Sequence, residues 1–123
     1  AFDYGESCHA FGQKLNYADE PFKPVLSQGC YATTIDELVK TETIPVPDYI
    51  KIDVDGLESK IIDGAQKTLE NRGVQSLLVE INNEIPKDLK MIKYLETLGF
   101  KTKYANPSIL APINSVLNVI LRR

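Results

Sequence analysis

An alternation of apolar runs and helical patterns occupies the middle of this chain, and it constrains the fold more than any other feature. Tyr49 to Val54 (YIKIDV) is a β-branched apolar run that predicts a buried strand, and Ser76 to Ile81 (SLLVEI) predicts another. Between them, apolar residues recur at helical spacing: Leu57, Ile61, Ile62, Ala65 and Leu69. Gly64 within this helical pattern indicates a close contact. The order strand, helix, strand predicts two parallel strands joined by a helical crossover.

Two further helices flank this unit. Thr34 to Val39 (TIDELV) predicts a short helix capped by Thr34, with Glu37 placed to complete a capping box. A second amphipathic helix is predicted from Lys87 to Leu98. Its apolar face is expected to consist of Leu89, Ile92, Leu95 and Leu98.

The remaining segments complete one domain. Phe100 to Tyr104 and Asn118 to Leu121 predict two last strands, which we expect to run antiparallel to each other. Residues 1–33 show little periodicity and several Gly and Pro residues, so they predict a loop-rich lead-in with a short strand around Gly29 to Thr33. We therefore expect a single α/β domain over residues 1–123, mostly parallel, with alternating strands and helices over residues 34–123.

Charge and composition argue against several classes of function. The 123 residues carry a net charge of −3 and have a pI of about 5.1, which argues against a nucleic-acid-binding or anionic-membrane surface. No apolar run approaches the roughly 20 residues of a membrane span, and no signal peptide is visible. Cys8 and Cys30 lack metal-ligand spacing and could form one disulfide bridge, but in a chain of this size they are expected to be free, buried thiols. These features predict a cytoplasmic protein without nucleic-acid or membrane partners.

Acidic and amide side chains lie at the carboxyl ends of both buried strands. Asp53 and Asp55 belong to the first end, and Glu80 and Asn82 to the second. Open α/β sheets bind ligands outside the carboxyl ends of their parallel strands, so this edge is the predicted functional site. Asp55 also has a structural interpretation as a helix cap, with Glu58 as its third-position partner. Asp53 and Glu80 interrupt apolar segments, which favours a function, although Glu80 could instead belong to an ion pair.

Other interpretations of these residues are weaker. The DVDG stretch resembles the first motif of haloacid-dehalogenase phosphatases, but Leu57 stands where a Thr or Val belongs and no later Asp-Asp pair follows. A calcium loop would need an oxygen ligand where Leu57 stands. His9, the only histidine, lies in the loop-rich lead-in and is either incidental or a substrate contact.

Several segments together resemble one known family. TIDELV, PDYIKIDVDGLESKIIDGAQKTL and SLLVEIN are similar to the C-terminal half of FkbM-type S-adenosylmethionine-dependent methyltransferases. HAFGQKLNY and FKPVLSQGCY extend the similarity, so that it runs from about His9 to Asn82. The resemblance implies a Rossmann-like class I methyltransferase sheet, of which this chain forms the C-terminal half. It also implies methyl transfer to a sugar or another hydroxyl, as in polysaccharide biosynthesis.

The resemblance implies a cofactor and roles for individual residues. Asp53, Asp55 and Glu58 match one family segment and are expected to contact S-adenosylmethionine. Asp53, near the reactive methyl group, and Glu80 are the expected catalytic residues.

The acceptor and a metal are the remaining expectations for the site. His9 and Asn82 are expected to contact the substrate, a small molecule or a glycan. By analogy with metal-dependent O-methyltransferases, Asp53, Glu80 and Asn82 could hold Mg²⁺, for which oxygen ligands are suited. Otherwise one of the carboxylates would act as the general base.

One departure from the family pattern bears on activity. Residues 1–33 contain neither the glycine-rich turn that approaches the cofactor nor the acidic residue that binds its ribose. The chain also starts at Ala1, so we expect an inactive fragment whose missing strand lies beside Tyr49 to Val54 in the complete enzyme. The alternative is a non-catalytic truncated member that acts as a binding or self-association module. An exposed sheet edge would favour a homodimer under either hypothesis.

Overall fold

The computed structural model describes residues 21, 23, 29–54, 56–107 and 116–123. Their helices and strands follow in the order α1 (Ile35–Lys40), β1 (Tyr49–Ile52), α2 (Glu58–Asp63), α3 (Gln66–Glu70), β2 (Ser76–Asn82), α4 (Pro86–Thr97), β3 (Lys101–Pro107) and β4 (Val116–Arg122). The strands form one mixed sheet in the order β1-β2-β4-β3. β1 and β2 are parallel, and β4 is antiparallel to both β2 and β3. The predicted parallel crossover and the antiparallel terminal pair are confirmed. The position of β4 between β2 and β3 was not predicted from the sequence.

The two faces of the sheet differ in what they contact. The first face carries the core, in which strand residues such as Leu77 and Val79 pack with Ile62 of α2 and Leu95 of α4. The second face, formed by every other strand residue, includes Lys51, Leu78, Glu80, Asn82, Tyr104, Asn106, Asn118 and Ile120. Its apolar members Leu78 and Ile120 neither belong to the core nor pack against it. The described helices therefore pack against the first face.

The helix predicted after β1 is broken into α2 and α3, and α1 docks at the break. The carboxylate of Asp36 in α1 accepts hydrogen bonds from the backbone N–H of Lys67 (3.1 Å), the backbone N–H of Thr68 (2.8 Å) and the Thr68 hydroxyl (2.7 Å). Asp36 thus caps the first turn of α3 from another helix. A Cβ at Gly64 would lie 3.0 Å from Thr34 Cγ2, so the close contact predicted at Gly64 is confirmed.

Capping is predicted correctly for one helix and wrongly for another. The backbone N–H of Glu37 donates to Thr34 Oγ1 at 3.1 Å, which confirms Thr34 as the cap of α1. At α2, Leu57 occupies the cap position without a side-chain hydrogen bond, and Glu58 is the first helical residue. The capping box proposed for Asp55 and Glu58 is therefore wrong, because the helix starts too late for Glu58 to stand in its third position.

Three further expectations are corrected. No strand forms from Gly29 to Thr33, where Tyr31 is 91% exposed and has no core to pack against. Leu89 is 44% exposed because α4 turns Met91 inward in its place, whereas Leu95 is buried as predicted. Cys30 is free as expected, but it is exposed rather than buried.

Arg123 closes the core at the end of the sheet opposite to the carboxyl ends. Its guanidinium donates to the backbone carbonyls of Leu69, Asn71 (2.5 Å) and Val74 (3.0 Å) and lies 4.2 Å from the centre of the Phe100 ring. Partial burial lowers the pKa of this guanidinium, and the positive charge of Arg72 adds to the effect. The side chain therefore satisfies carbonyls left open after α3 and covers an aromatic core residue.

Replacing Asp36 by Asn or Ala should destabilise the domain by about 1–3 kcal/mol, since hydrogen bonds to a carboxylate are weakened in the Asn variant and lost in the Ala variant. Burial alone would raise the pKa of Asp36, but the hydrogen bonds from Thr68 and Lys67 outweigh it and lower the pKa below its usual value. Its contribution should therefore be complete above the unfolded pKa of about 3.9 and disappear as the pH falls below it. Urea unfolding of the parent and of Asp36→Asn across this pH range measures both effects.

The matched control for Asp36 is Glu37→Gln. The neighbouring Glu37 carboxylate pairs with exposed Lys40 at 3.2 Å, a kind of contact that contributes little. Equal destabilisation by both substitutions would contradict the role of Asp36.

Arg123→Ala should destabilise the domain by about 2–4 kcal/mol, because it leaves several backbone carbonyls without a donor and uncovers Phe100. The neighbouring Arg122, which is also exposed, lacks these contacts, so Arg122→Ala should change the free energy of unfolding by less than about 0.5 kcal/mol. Denaturant unfolding of both variants compares the two arginines directly. Similar values would show that Arg123 does not stabilise the domain through these contacts.

Candidate functional site

The carboxyl ends of β1, β2 and β3 and the start of the antiparallel β4 meet at one edge of the sheet. Asp53 directly follows β1, and Glu80 and Asn82 lie in the last three residues of β2. Three of the predicted site residues are thus placed at this edge. Asp55 and His9 fall outside the described residues, so their roles stay predictions.

Asp53 forms an ion pair with a residue of its own strand. Lys51 Nζ lies 2.6 Å from Asp53 Oδ2, and the two side chains are 62% and 52% exposed. The last pair of the parallel ladder is Ile52 with Val79, so one further step in the same register brings Asp53 to the level of Glu80. The sequence analysis missed Lys51, although its position two residues before Asp53 places both side chains on the same side of an extended chain.

Glu80 is half-buried on the second face of the sheet, and its side chain forms no ion pair or hydrogen bond with any residue that the structure describes. The alternative of a structural ion pair finds no partner in this part of the chain. A half-buried carboxylate without a partner costs free energy, and this cost is expected where the group serves a ligand. Glu80 and Asp53 are therefore two carboxylates at the same level of adjacent strands, both open to a ligand.

Asn82 takes part in the turn that follows β2. Its backbone N–H donates to Asp88 Oδ2 at 2.8 Å, and its side-chain Oδ1 accepts from the backbone N–H of Glu84 at 2.9 Å. These contacts fix the orientation of the amide and use part of its acceptor capacity. A substrate contact by Asn82, which stays a prediction, would therefore be made most readily by the Nδ2 donor group.

Glu58 differs from the other acids of this region because it is buried, with 5% exposure. Burial raises the pKa of its carboxyl group, the backbone N–H groups of Glu58 and Gly56 oppose this shift, and the charge of Asp88 adds to it. Asp88 is equally buried and, like Glu58, lies in the first turn of its helix, where the helix dipole favours negative charge. Asp88 also contacts the turn after β2, where it accepts a hydrogen bond from the backbone N–H of Asn82.

The described residues do not fit the proposed magnesium site. No group of three His, Cys, Asp or Glu side chains placed to hold a metal ion occurs among them. One oxygen of Asp53 is paired with Lys51, and the Asn82 oxygen accepts from its own turn. The prediction of Mg²⁺ therefore gains no support.

A shallow groove of about 230 Å³ lies between α2 and α4, on the helical layer. It is lined by Ser59, Ile62, Asp63, Gln66, Lys87, Lys90, Met91 and Tyr94. None of the predicted site residues lines this groove, so it is separate from the carboxyl edge of the sheet.

Among the described helices, none has the length and apolar character needed to cross a membrane.

Comparisons with known proteins identify the family. No curated protein and no solved structure matches the chain. Residues 30–102, more than half of the chain, match the family model of the methyltransferase FkbM domain, and this range includes Asp53, Glu58 and Glu80. The chain therefore belongs to the FkbM methyltransferase domain family.

Proposed function

We propose that this chain is the C-terminal part of an S-adenosylmethionine-dependent methyltransferase that methylates a hydroxyl group of a sugar or another small acceptor. The observation that carries the proposal is the pair of exposed or half-exposed carboxylates, Asp53 and Glu80, at the same level of two adjacent parallel strands. Membership in the FkbM family supplies the reaction type. The carboxyl edge of a parallel sheet is where folds of this kind bind ligands.

The chemistry of O-methylation calls for a base at this edge. When bound, S-adenosylmethionine supplies an electrophilic methyl group. The acceptor oxygen forms a bond to that carbon and loses its proton, and a carboxylate within hydrogen-bond reach accepts the proton. Asp53 or Glu80 is placed to hold the acceptor hydroxyl and to take this proton.

Lys51 has a positioning role in this proposal. Its ammonium group holds one oxygen of Asp53 at 2.6 Å and leaves the other oxygen for the acceptor. Lys51 would therefore orient the base without contacting the transferred methyl group.

The position of β1 in the sheet agrees with a cofactor site that is incomplete in this chain. Within the described sheet, β1 is an edge strand, although its apolar sequence is typical of a central one. The glycine-rich cofactor turn is absent from the 123 residues. We infer that a strand carrying this turn, supplied from outside the present sequence, pairs with β1 and completes a Rossmann-like sheet. This chain by itself would bind the cofactor weakly or not at all.

A second candidate function is self-association. The free edge of β1 is apolar and carries Tyr49, which is 74% exposed. Such an edge pairs readily with another strand. In the absence of the cofactor-binding strand, two copies would pair through β1, and the chain would act as a homodimeric module without methyltransferase activity.

In the full-length gene product, Asp53→Asn should lower the rate of methyl transfer by about 10²–10⁴-fold if Asp53 is the general base, since this is the usual contribution of such a group. Glu80→Gln gives the same test for the alternative base. A methyl-transfer assay with labelled S-adenosylmethionine measures the rate. Asp63→Asn, at an exposed site of α2, serves as the control and should leave the rate unchanged.

Retained transfer in both the Asp53 and the Glu80 variants would refute carboxylate base catalysis at this edge. Calorimetric titration of the 123-residue chain with S-adenosylmethionine tests the incomplete site separately. Micromolar binding would show that the cofactor site is already complete, and a β1-paired dimer in solution would favour the second candidate function.

A further inference from the structure

We propose that Glu58 and Asp88 are positioning residues that act as one buried acid pair, which joins the turn after β1 to the turn after β2. The first turn follows Asp53 and the second starts at Asn82, so the pair would set the shape of the candidate site through the backbone. The positioning role rests on the proposed function, because it supports the candidate bases of that reaction. The sequence patterns indicated Glu58 as a cofactor contact and did not single out Asp88.

Asp88 holds the turn after β2. Its Oδ2 accepts a hydrogen bond from the backbone N–H of Asn82 at 2.8 Å, although Asp88 itself lies in the first turn of α4. The backbone N–H of Ile85 closes the same turn by donating to the carbonyl of Asn82 at 3.0 Å. The Asp88 carboxylate therefore ties the end of β2 to the start of α4 and fixes the backbone that carries the Asn82 amide.

Glu58 has the corresponding place after β1. It is the first residue of α2, and its carboxylate accepts hydrogen bonds from the backbone N–H groups of Glu58 itself and of Gly56. Gly56 has a φ of 84°, a left-handed conformation that favours glycine, and its N–H also lies 2.7 Å from the carbonyl of Val54. This tight turn connects Asp53 to α2, so the Glu58 carboxylate helps to fix the chain on the C-terminal side of Asp53.

The two acids lie at neighbouring helix starts and are shielded from water. Ser59 and Lys87, which follow Glu58 and precede Asp88 in the sequence, line the same groove between α2 and α4. Glu58 and Asp88 are each only 5% exposed, so little water screens one charge from the other. Two such carboxylates bind and release protons as a pair rather than as independent groups.

The charges around Glu58 favour a proton on the pair at mildly acidic pH. Burial raises the pKa of Glu58, and the charge of Asp88 raises it further, against the opposing effect of the backbone N–H groups. With a proton bound, the Glu58 carboxyl can donate to the Asp88 carboxylate while Asp88 still accepts from Asn82. Without it, two buried negative charges repel each other. The proton therefore draws the two turns together.

Other titratable groups belong to the elements around Glu58. Those that the structure describes are Lys60 of α2, Lys87 of α4, Glu84 of the turn before α4, and Lys51, Asp53 and Glu80 at the carboxyl ends of the strands. Lys60 and Glu84 are exposed, and Lys51 pairs with Asp53. Among the described residues, the charge that contributes to the raised pKa of Glu58 is that of Asp88.

The test is a pH titration of the ¹⁵N-labelled 123-residue chain, followed by NMR. The backbone amide signals of Gly56 and Asn82 belong to different turns, yet they should share one midpoint above about 4.3, the usual pKa of a glutamate. Glu58→Gln should remove this midpoint from both signals, because an amide does not take up the proton. Separate midpoints in the parent, or an Asn82 signal that keeps the parental midpoint in Glu58→Gln, would overturn the proposal.

Two further variants test the interaction between the acids. Asp88→Asn keeps an oxygen that can accept from the Asn82 N–H but removes the charge, so it should lower the midpoint of the Gly56 signal. Glu84→Gln removes an exposed carboxylate from the same turn and is the matched control, which should leave the midpoint unchanged. No shift in Asp88→Asn, or an equal shift in both variants, would contradict the pairing of Glu58 with Asp88.

Methyl transfer by the full-length gene product tests the positioning role. Glu58→Leu removes the acceptor of the Gly56 N–H and should lower kcat/KM about tenfold, the effect of losing about one net hydrogen bond. Glu58→Gln keeps an acceptor oxygen, so it should restore most of this loss and make the pH profile of kcat/KM lose the step at the midpoint of the pair. Equal losses in the two variants, with both folded by circular dichroism, would refute positioning through the backbone.

The NMR titration requires neither cofactor nor acceptor, so its outcome is separate from that of the methyl-transfer assay. A common midpoint in a protein that transfers no methyl group would refute the proposed function and retain the acid pair. Methyl transfer by a protein whose two turns titrate independently would do the reverse.

Discussion

The pairing of β4 with both β2 and β3 is the constraint on which most of this structure depends. β4 is antiparallel to both neighbours, and its seven residues reach from the carboxyl edge of the sheet to the opposite end. At the carboxyl edge it places Asn118 between Glu80 and Asn106. At the opposite end it delivers Arg123 to the carbonyls after α3 and to the Phe100 ring. One strand thus joins β2 to β3 and contributes to the closure of the core.

The helical layer depends on a second long-range contact, between α1 and α3. A continuous helix through Gly64 would satisfy the apolar spacing of residues 57–69. The helix is interrupted there instead, where α1 approaches closely at Thr34. The free N–H groups created by the break are satisfied by the Asp36 carboxylate from α1. The family motif around Asp36 therefore has a structural explanation in this chain, which lies away from the carboxyl edge of the sheet.

The acids near the carboxyl edge separate into two electrostatic groups. Glu58 and Asp88 are buried at helix starts, and burial raises the pKa of Glu58. Asp53 and Glu80 are open to solvent or half-buried on the second face, and Asp53 has a cation beside it. Asp88 accepts a hydrogen bond from the backbone N–H of Asn82, whereas the accessible pair carries the proposed proton transfer. This division is why we assign the chemistry to Asp53 and Glu80 and a supporting position to Glu58.

Sequence periodicity alone determined the parallel β1–β2 unit, the two main amphipathic segments, the cap at Thr34 and the acidic carboxyl edge. These features follow from local spacing and from the need to bury apolar faces, both of which are legible along the chain. Local spacing could not determine the position of β4, the break before α3, the inward turn of Met91 in place of Leu89, or the role of Arg123. Each of these depends on which distant segment supplies a hydrogen-bond partner or fills a contact, and that choice is made only when the whole chain packs. Glu80 and Asn118 are 38 positions apart in sequence, and only the sheet register makes them neighbours.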